Sequence, residues 1–161
     1  MARKSTGSFR FLVLIAAFCG FSLLLAQSAG KDKSSLPASD LPFSQTVSVG
    51  ELVFVSGQIG IDPATGKMAG EDIASQTRQA LANIERHLNA AGSNMSRVVK
   101  TTVFLKNITD YADMNAAYKK VFTSARPARA TVEVSGLVGG ALIEIDAIAV
   151  KNSHDGKLEH R

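Results

Sequence analysis

Arg129, Thr131 and Glu133 alternate along Ala128–Val134, and Glu144 and Asp146 alternate along Leu142–Val150. Successive side chains of a β-strand point to opposite faces, so each set shares one face of its strand. Charges planted among small and β-branched residues need a partner, because burying an unpaired charge is expensive. Two kinds of structure meet that need. One is structural: a cross-strand ion pair of Arg129 with Glu144 or Glu133, or a plain solvent-facing polar face. The other is chemical: an arginine fork grips a ligand carboxylate while a nearby acid handles water or a proton.

Other chemistry finds little support. The chain has no P-loop, no G-x-G-x-x-G and no H-E-x-x-H, so no cofactor is indicated. His87, His154 and His160 are scattered, which does not make a metal site. Cys19 is the only cysteine, so the rest of the chain has no disulfide, thiol nucleophile or thiolate ligand. The formal net charge is +4, but Arg3, Lys4 and Arg10 fall in the first thirty residues, which hold no acid. The remainder carries 15 bases against 14 acids, too nearly neutral for a nucleic-acid binder with a basic face.

Residues 1–30 have their own logic. A basic start (MARKSTGSFR) precedes the apolar run FLVLIAAFCGFSLLLA and the small-residue exit QSAG. This is the pattern of a secretory signal peptide, with cleavage after Ala29 or Gly30 and export to the periplasm or beyond. Sixteen apolar residues containing Gly20 and Ser22 are short for a membrane span of about 20 residues, so no stable span is expected after removal. Residues 31–41 read as a polar N-terminal arm, and 152–161 as a polar tail.

Between them lies the element pattern that must position the charged residues. Gln45–Val49 and Glu51–Ser56 read as strands joined by a tight turn at Gly50, and Asp62–Gly66 as a further turn. Residues 72–91 carry a helical stripe of Ile73, Ala80, Leu81, Ile84 and Leu88, with Gln76 off it, Asp72 as cap and Gly92 as terminator. Residues 97–106 read as a strand. A second helix over about 110–123 has the stripe Tyr111, Met114, Tyr118, Val121 and Phe122, and Pro127 ends any continuation. Ala128–Val134 and Leu142–Val150 then read as a closing hairpin. The order β-β-α-β-α-β-β predicts an α+β fold, a single sheet with two helices on one face. The other face is expected to find cover in another subunit.

Several blocks resemble the reactive-intermediate deaminase (RidA, or YjgF-type) family. They are Val55-Ser56-Gly57-Gln58-Ile59, Val98–Leu105, Tyr111–Tyr118 around Asn115, Pro127–Val134 and Ile143–Ala149. The resemblance runs in order over residues 42–151. It implies a chorismate-mutase-like fold and a homotrimer with sites in the clefts between subunits. It also implies cofactor-free hydrolysis of enamine/imine intermediates of the 2-aminoacrylate/2-iminopropanoate type to a 2-keto acid and ammonia. By motif match Arg129 is the carboxylate-binding arginine and Glu144 the acid that positions water. Phe43, Ser56, Gly57, Asn115 and Thr131 match pocket or supporting positions. Phe43 stands where the family usually has tyrosine, Thr131 where it often has cysteine, and the loop from Asn115 to Arg129 is short. The alternatives are a non-catalytic protein that binds small carboxylates on the same trimeric scaffold, and a ribonuclease, which the near-neutral body disfavours.

Overall fold

The computed structural model describes residues 41–124 and 126–152. The expected signal segment, most of the polar arm and nearly all of the tail lie outside these residues. Among the described residues no helix is long and apolar enough to cross a membrane.

Strands β1 (Thr46–Val49) and β2 (Leu52–Ile59) form the first hairpin, turning at Gly50. A small hairpin follows, β3 (Ile61–Asp62) and β4 (Lys67–Met68), around the expected Asp62–Gly66 turn. Helix α1 (Ile73–Ala90) begins where the Asp72 carboxylate accepts the Ser75 amide at 2.8 Å. That cap satisfies one of the amides a helix start leaves unpaired. Gly92, at φ +77, follows its end. Strand β5 (Val98–Leu105), helix α2 (Tyr111–Val121), strand β6 (Ala128–Glu133) and strand β7 (Ile143–Val150) complete the chain.

The main sheet has the order β1-β2-β7-β5-β6. Here the structure corrects the expected closing hairpin. Strands β6 and β7 do not pair, because β5 lies between them, parallel to β6 and antiparallel to β7. The reason lies in β7, which alternates buried and half-buried residues along its whole length. A strand with one face sealed in the core satisfies its backbone best with a neighbour on each edge, and β2 and β5 supply them. The unit β5-α2-β6 is then a parallel crossover, which needs a helix rather than a tight turn.

Both helices cover one face. Val53, Val103, Leu105, Ile143 and Ile145 meet Leu81, Ile84, Leu88, Met114 and Tyr118 in one aliphatic core. The stripe expected for α1 is buried as a set. Gln76, expected off that stripe, is buried as well. Its side chain donates to the Gly70 carbonyl at 2.9 Å and accepts the Leu142 amide at 2.8 Å, tying the helix start to the entry of β7. Tyr111, expected in the α2 stripe, is 44% exposed. The opposite sheet face keeps Val47, Val49, Leu52, Phe54 and Val132 exposed. Replacing Gln76 by Leu keeps the volume but strands a half-buried carbonyl and amide, a loss of about 1–3 kcal/mol. Urea unfolding of Gln76→Leu is expected to show a lowered midpoint at unchanged slope, and an unchanged midpoint would contradict this role.

Candidate functional site

Arg129 lies near the start of β6, opposite Thr101 of β5, which is itself opposite Ala147 of β7. Directly paired residues point to the same side of a sheet, and Thr101 and Ala147 are buried under the helices. Arg129 therefore projects to the helix face. There α2 receives it between two rings. Its guanidinium carbon is 4.8 Å from the Tyr118 ring centre and 5.7 Å from that of Tyr111. Nη2 donates to the Tyr111 hydroxyl at 3.3 Å, and Nη1 sits 3.9 Å from the Met114 sulfur. Tyr118 is fixed in turn by a 2.8 Å hydrogen bond between its hydroxyl and Thr101. Arginine over an aromatic face gains about 0.5–2 kcal/mol, and stacking fixes the plane of the fork.

This cradle opens into a cleft of about 560 Å³ lined by Asn115, Lys119, Arg126 and Arg129 among others. Among the described residues no carboxylate pairs with Arg129. The ion-pair reading of its charge is thereby corrected. Glu133 does not reach it, because its carboxylate accepts the Ile108 amide at 2.8 Å. Glu144 lies on the opposite side of the sheet. It pairs with Phe104, whose partner on β6 is Val132, three residues from Arg129. Two strand spacings across and three residues along give roughly 14 Å between the Cα atoms, before the opposite faces are considered.

Glu144 belongs to a second open cleft of about 700 Å³, which Phe43, Gly57 and Gln58 also line. Here β2 carries a bulge: its register against β7 shifts between Val55 and Gln58. The Glu144 side chain lies against the Gly57 backbone, where a Cβ would overlap Oε1. Only glycine allows that approach. Ser56 donates to the Ser44 carbonyl at 2.7 Å, fastening the segment that carries Phe43, itself 53% exposed. Asp146, one pleat from Glu144, accepts the Thr102 amide at 2.8 Å.

The predicted site residues thus fall into two groups. Arg129 and Asn115 share the first cleft, and Thr131 shares the helix face with them, opposite Val103. Phe43, Gly57 and Glu144 share the second, with Ser56 beside it. One chain does not bring the two groups together. Three further side chains contribute that the sequence alone does not single out. Tyr111 and Tyr118 form the arginine cradle; their spacing with Asn115 (i, i+4, i+7) would have shown it once α2 was laid over β6. Gln58 is the third: its amide reaches the carbonyls of Ser56 and Gly57 at 3.0 and 3.2 Å, satisfying backbone within the bulged segment. Among the described residues no group of three or more His, Cys, Asp or Glu gathers as a metal-ligand set.

Known proteins resemble this chain in sequence and fold. The family described as endoribonuclease L-PSP matches residues 33–151. The chain belongs to this family, the RidA/YjgF family. A RutC family protein of Pyrococcus horikoshii is 49% identical over 110 residues, covering 68% of this chain and 87% of the relative. The human 2-iminobutanoate/2-iminopropanoate deaminase is 43% identical over 115 residues, covering 71% and 84%. Among solved structures, the YjgF gene product of E. coli superposes with a TM-score of 0.68 at 42% identity, covering 74% of this chain and 95% of that one. E. coli TdcF with bound serine superposes at 0.67 with 35% identity, covering 74% and 95%. The fold of this RidA/YjgF member is therefore the chorismate-mutase-like α+β layer, with both helices on one face.

The cradle has a direct spectroscopic signature, because Tyr111 and Tyr118 are the chain's only tyrosines. The Asn115 amide, then the Arg129 charge, favour the phenolate of Tyr111 and hold its pKa below the usual 10.0. Burial pushes Tyr118 above it. Tyrosinate absorbance is expected to titrate in two steps, one on each side of 10.0, and Arg129→Met should move the lower step upward. A single unshifted step in the wild type would contradict the cradle.

Proposed function

We propose that this protein hydrolyses small 2-imino acids of the 2-aminoacrylate/2-iminopropanoate type to the 2-keto acid and ammonia, without a cofactor. The observation that carries the reading is the Arg129 guanidinium, held between two tyrosine rings at an open cleft with no carboxylate of the described chain against it. A pre-oriented fork of this kind suits a ligand carboxylate. Deaminase relatives at 41–44% identity support the same class of chemistry.

The reaction asks for few groups. The enamine tautomerises to the imine, and water adds to the imine carbon. A proton moves from that oxygen to nitrogen, the C–N bond breaks, and ammonia leaves as the carbonyl forms. Arg129 holds the carboxylate and so fixes the carbon; such positioning supplies several kcal/mol. Glu144 orients the water and takes its proton. Phe43 lines the wall near Glu144 but has no hydroxyl to contribute. Arg129 and Glu144 face opposite sides of one sheet, so the proposed site takes Arg129 from one subunit and Glu144 from the next. The exposed strip of Val47, Val49, Leu52, Phe54 and Val132 supports burial of that face in a homotrimer.

Initial rates on iminopropanoate and melting temperatures test the assignment together. Arg129→Ala is expected to lower the rate roughly a hundredfold or more while remaining folded. Glu144→Gln should depress kcat more than it raises KM, because it removes the water-orienting group rather than the substrate grip. Wild-type rates in folded Arg129→Ala would overturn the proposal. Carboxylate binding without any turnover by the wild type would favour the non-catalytic carboxylate binder instead.

A further inference from the structure

The first cleft holds more positive charge than a monocarboxylate can use. Lys119 follows Asn115 by four residues on α2, which places both on one side of the helix. Its charge reaches the Tyr111 hydroxyl, so it acts on the same cluster as Arg129. Arg126 stands three residues before Arg129, and Pro127 biases it towards an extended backbone. Lys119, Arg126 and Arg129 all line the same volume of about 560 Å³, and no carboxylate appears in its described lining. Neither Lys119 nor Arg126 has a hydrogen-bonding or ionic partner among the described residues. Three cations sharing a cleft repel one another unless an anion joins them.

We propose that this cleft selects substrates with a second negative group: 2-imino dicarboxylates, the imines of acidic amino acids. The inference rests on the role proposed above for Arg129 and specifies which imines the site prefers. Arg129 takes the carboxylate beside the imine. The second carboxylate, two or three carbons away, lies between Lys119 and Arg126. Both are exposed, so each contributes modestly, and together they favour the diacid about fivefold or more.

The test compares 2-iminoglutarate with 2-iminopentanoate, which has the same carbon count and one carboxylate, each generated in the assay from its amino acid. Alongside it, calorimetry measures Kd for the stable products 2-oxoglutarate and 2-oxopentanoate. The expected result is a diacid preference of about fivefold or more in kcat/KM and in Kd at low salt. That ratio should fall towards one in Lys119→Gln/Arg126→Gln, and also in the wild type as salt is added. A wild-type ratio of one or less overturns the inference. So does a preference that survives both the double substitution and high salt. If no imine is hydrolysed, the deaminase reading falls while the Kd ratio still decides the selectivity. If the double variant does not fold, the salt series on the wild type decides it.

Discussion

The position of β5 between β6 and β7 governs everything else in this molecule. It sets Arg129 opposite Thr101 and Glu144 opposite Phe104, positions of opposite parity on one strand. Because parity on a strand is parity of face, the carboxylate-gripping arginine and the water-orienting glutamate of the proposed reaction cannot meet within one chain. The same insertion brings α2 over β6, which is what puts two tyrosine rings around the guanidinium. A sheet with β6 and β7 paired would allow a cross-strand ion pair and leave Arg129 occupied. The observed order leaves it free for a ligand.

The two halves are prepared differently. On the helix face an aromatic and polar cradle holds a cation whose geometry is set by stacking, by Tyr111 and by the buried Thr101–Tyr118 hydrogen bond. On the open face a bulge in β2 lets a carboxylate rest against bare backbone at Gly57, with Gln58 satisfying nearby carbonyls. Neither half depends on the other for its local order. Each can therefore stand at the surface of a subunit and wait for its complement.

The elements were legible because each is periodic. The α1 stripe from Ile73 to Leu88 and the strict alternation of Ile143–Val150 name their own buried faces. Neighbours were not legible, because alternation says which residues share a face and never which strand lies alongside. For that reason the sequence pattern of the last two strands suggests a hairpin that the sheet does not contain. The same gap left Arg129 and Glu144 correctly placed on their own strands and unplaced relative to each other. Tyr111 was assigned to the core because its spacing fits the stripe; the helix start instead leaves it at the rim, against an arginine that only the sheet order supplies. Gln76 departs in the opposite sense, since a long amide reaches half-buried backbone partners from the shoulder of a stripe.

The central claim is that one working site draws Arg129 and Glu144 from different subunits. It is tested most directly by co-assembly of two inactive variants. Arg129→Ala and Glu144→Gln chains, unfolded and refolded together in equal amounts, form mixed oligomers. In a closed ring with one site per interface, about one interface in four then joins an intact Arg129 to an intact Glu144. The account predicts that the mixture regains about a quarter of wild-type activity, while each variant refolded alone stays inactive. A mixture no more active than its two components would contradict it.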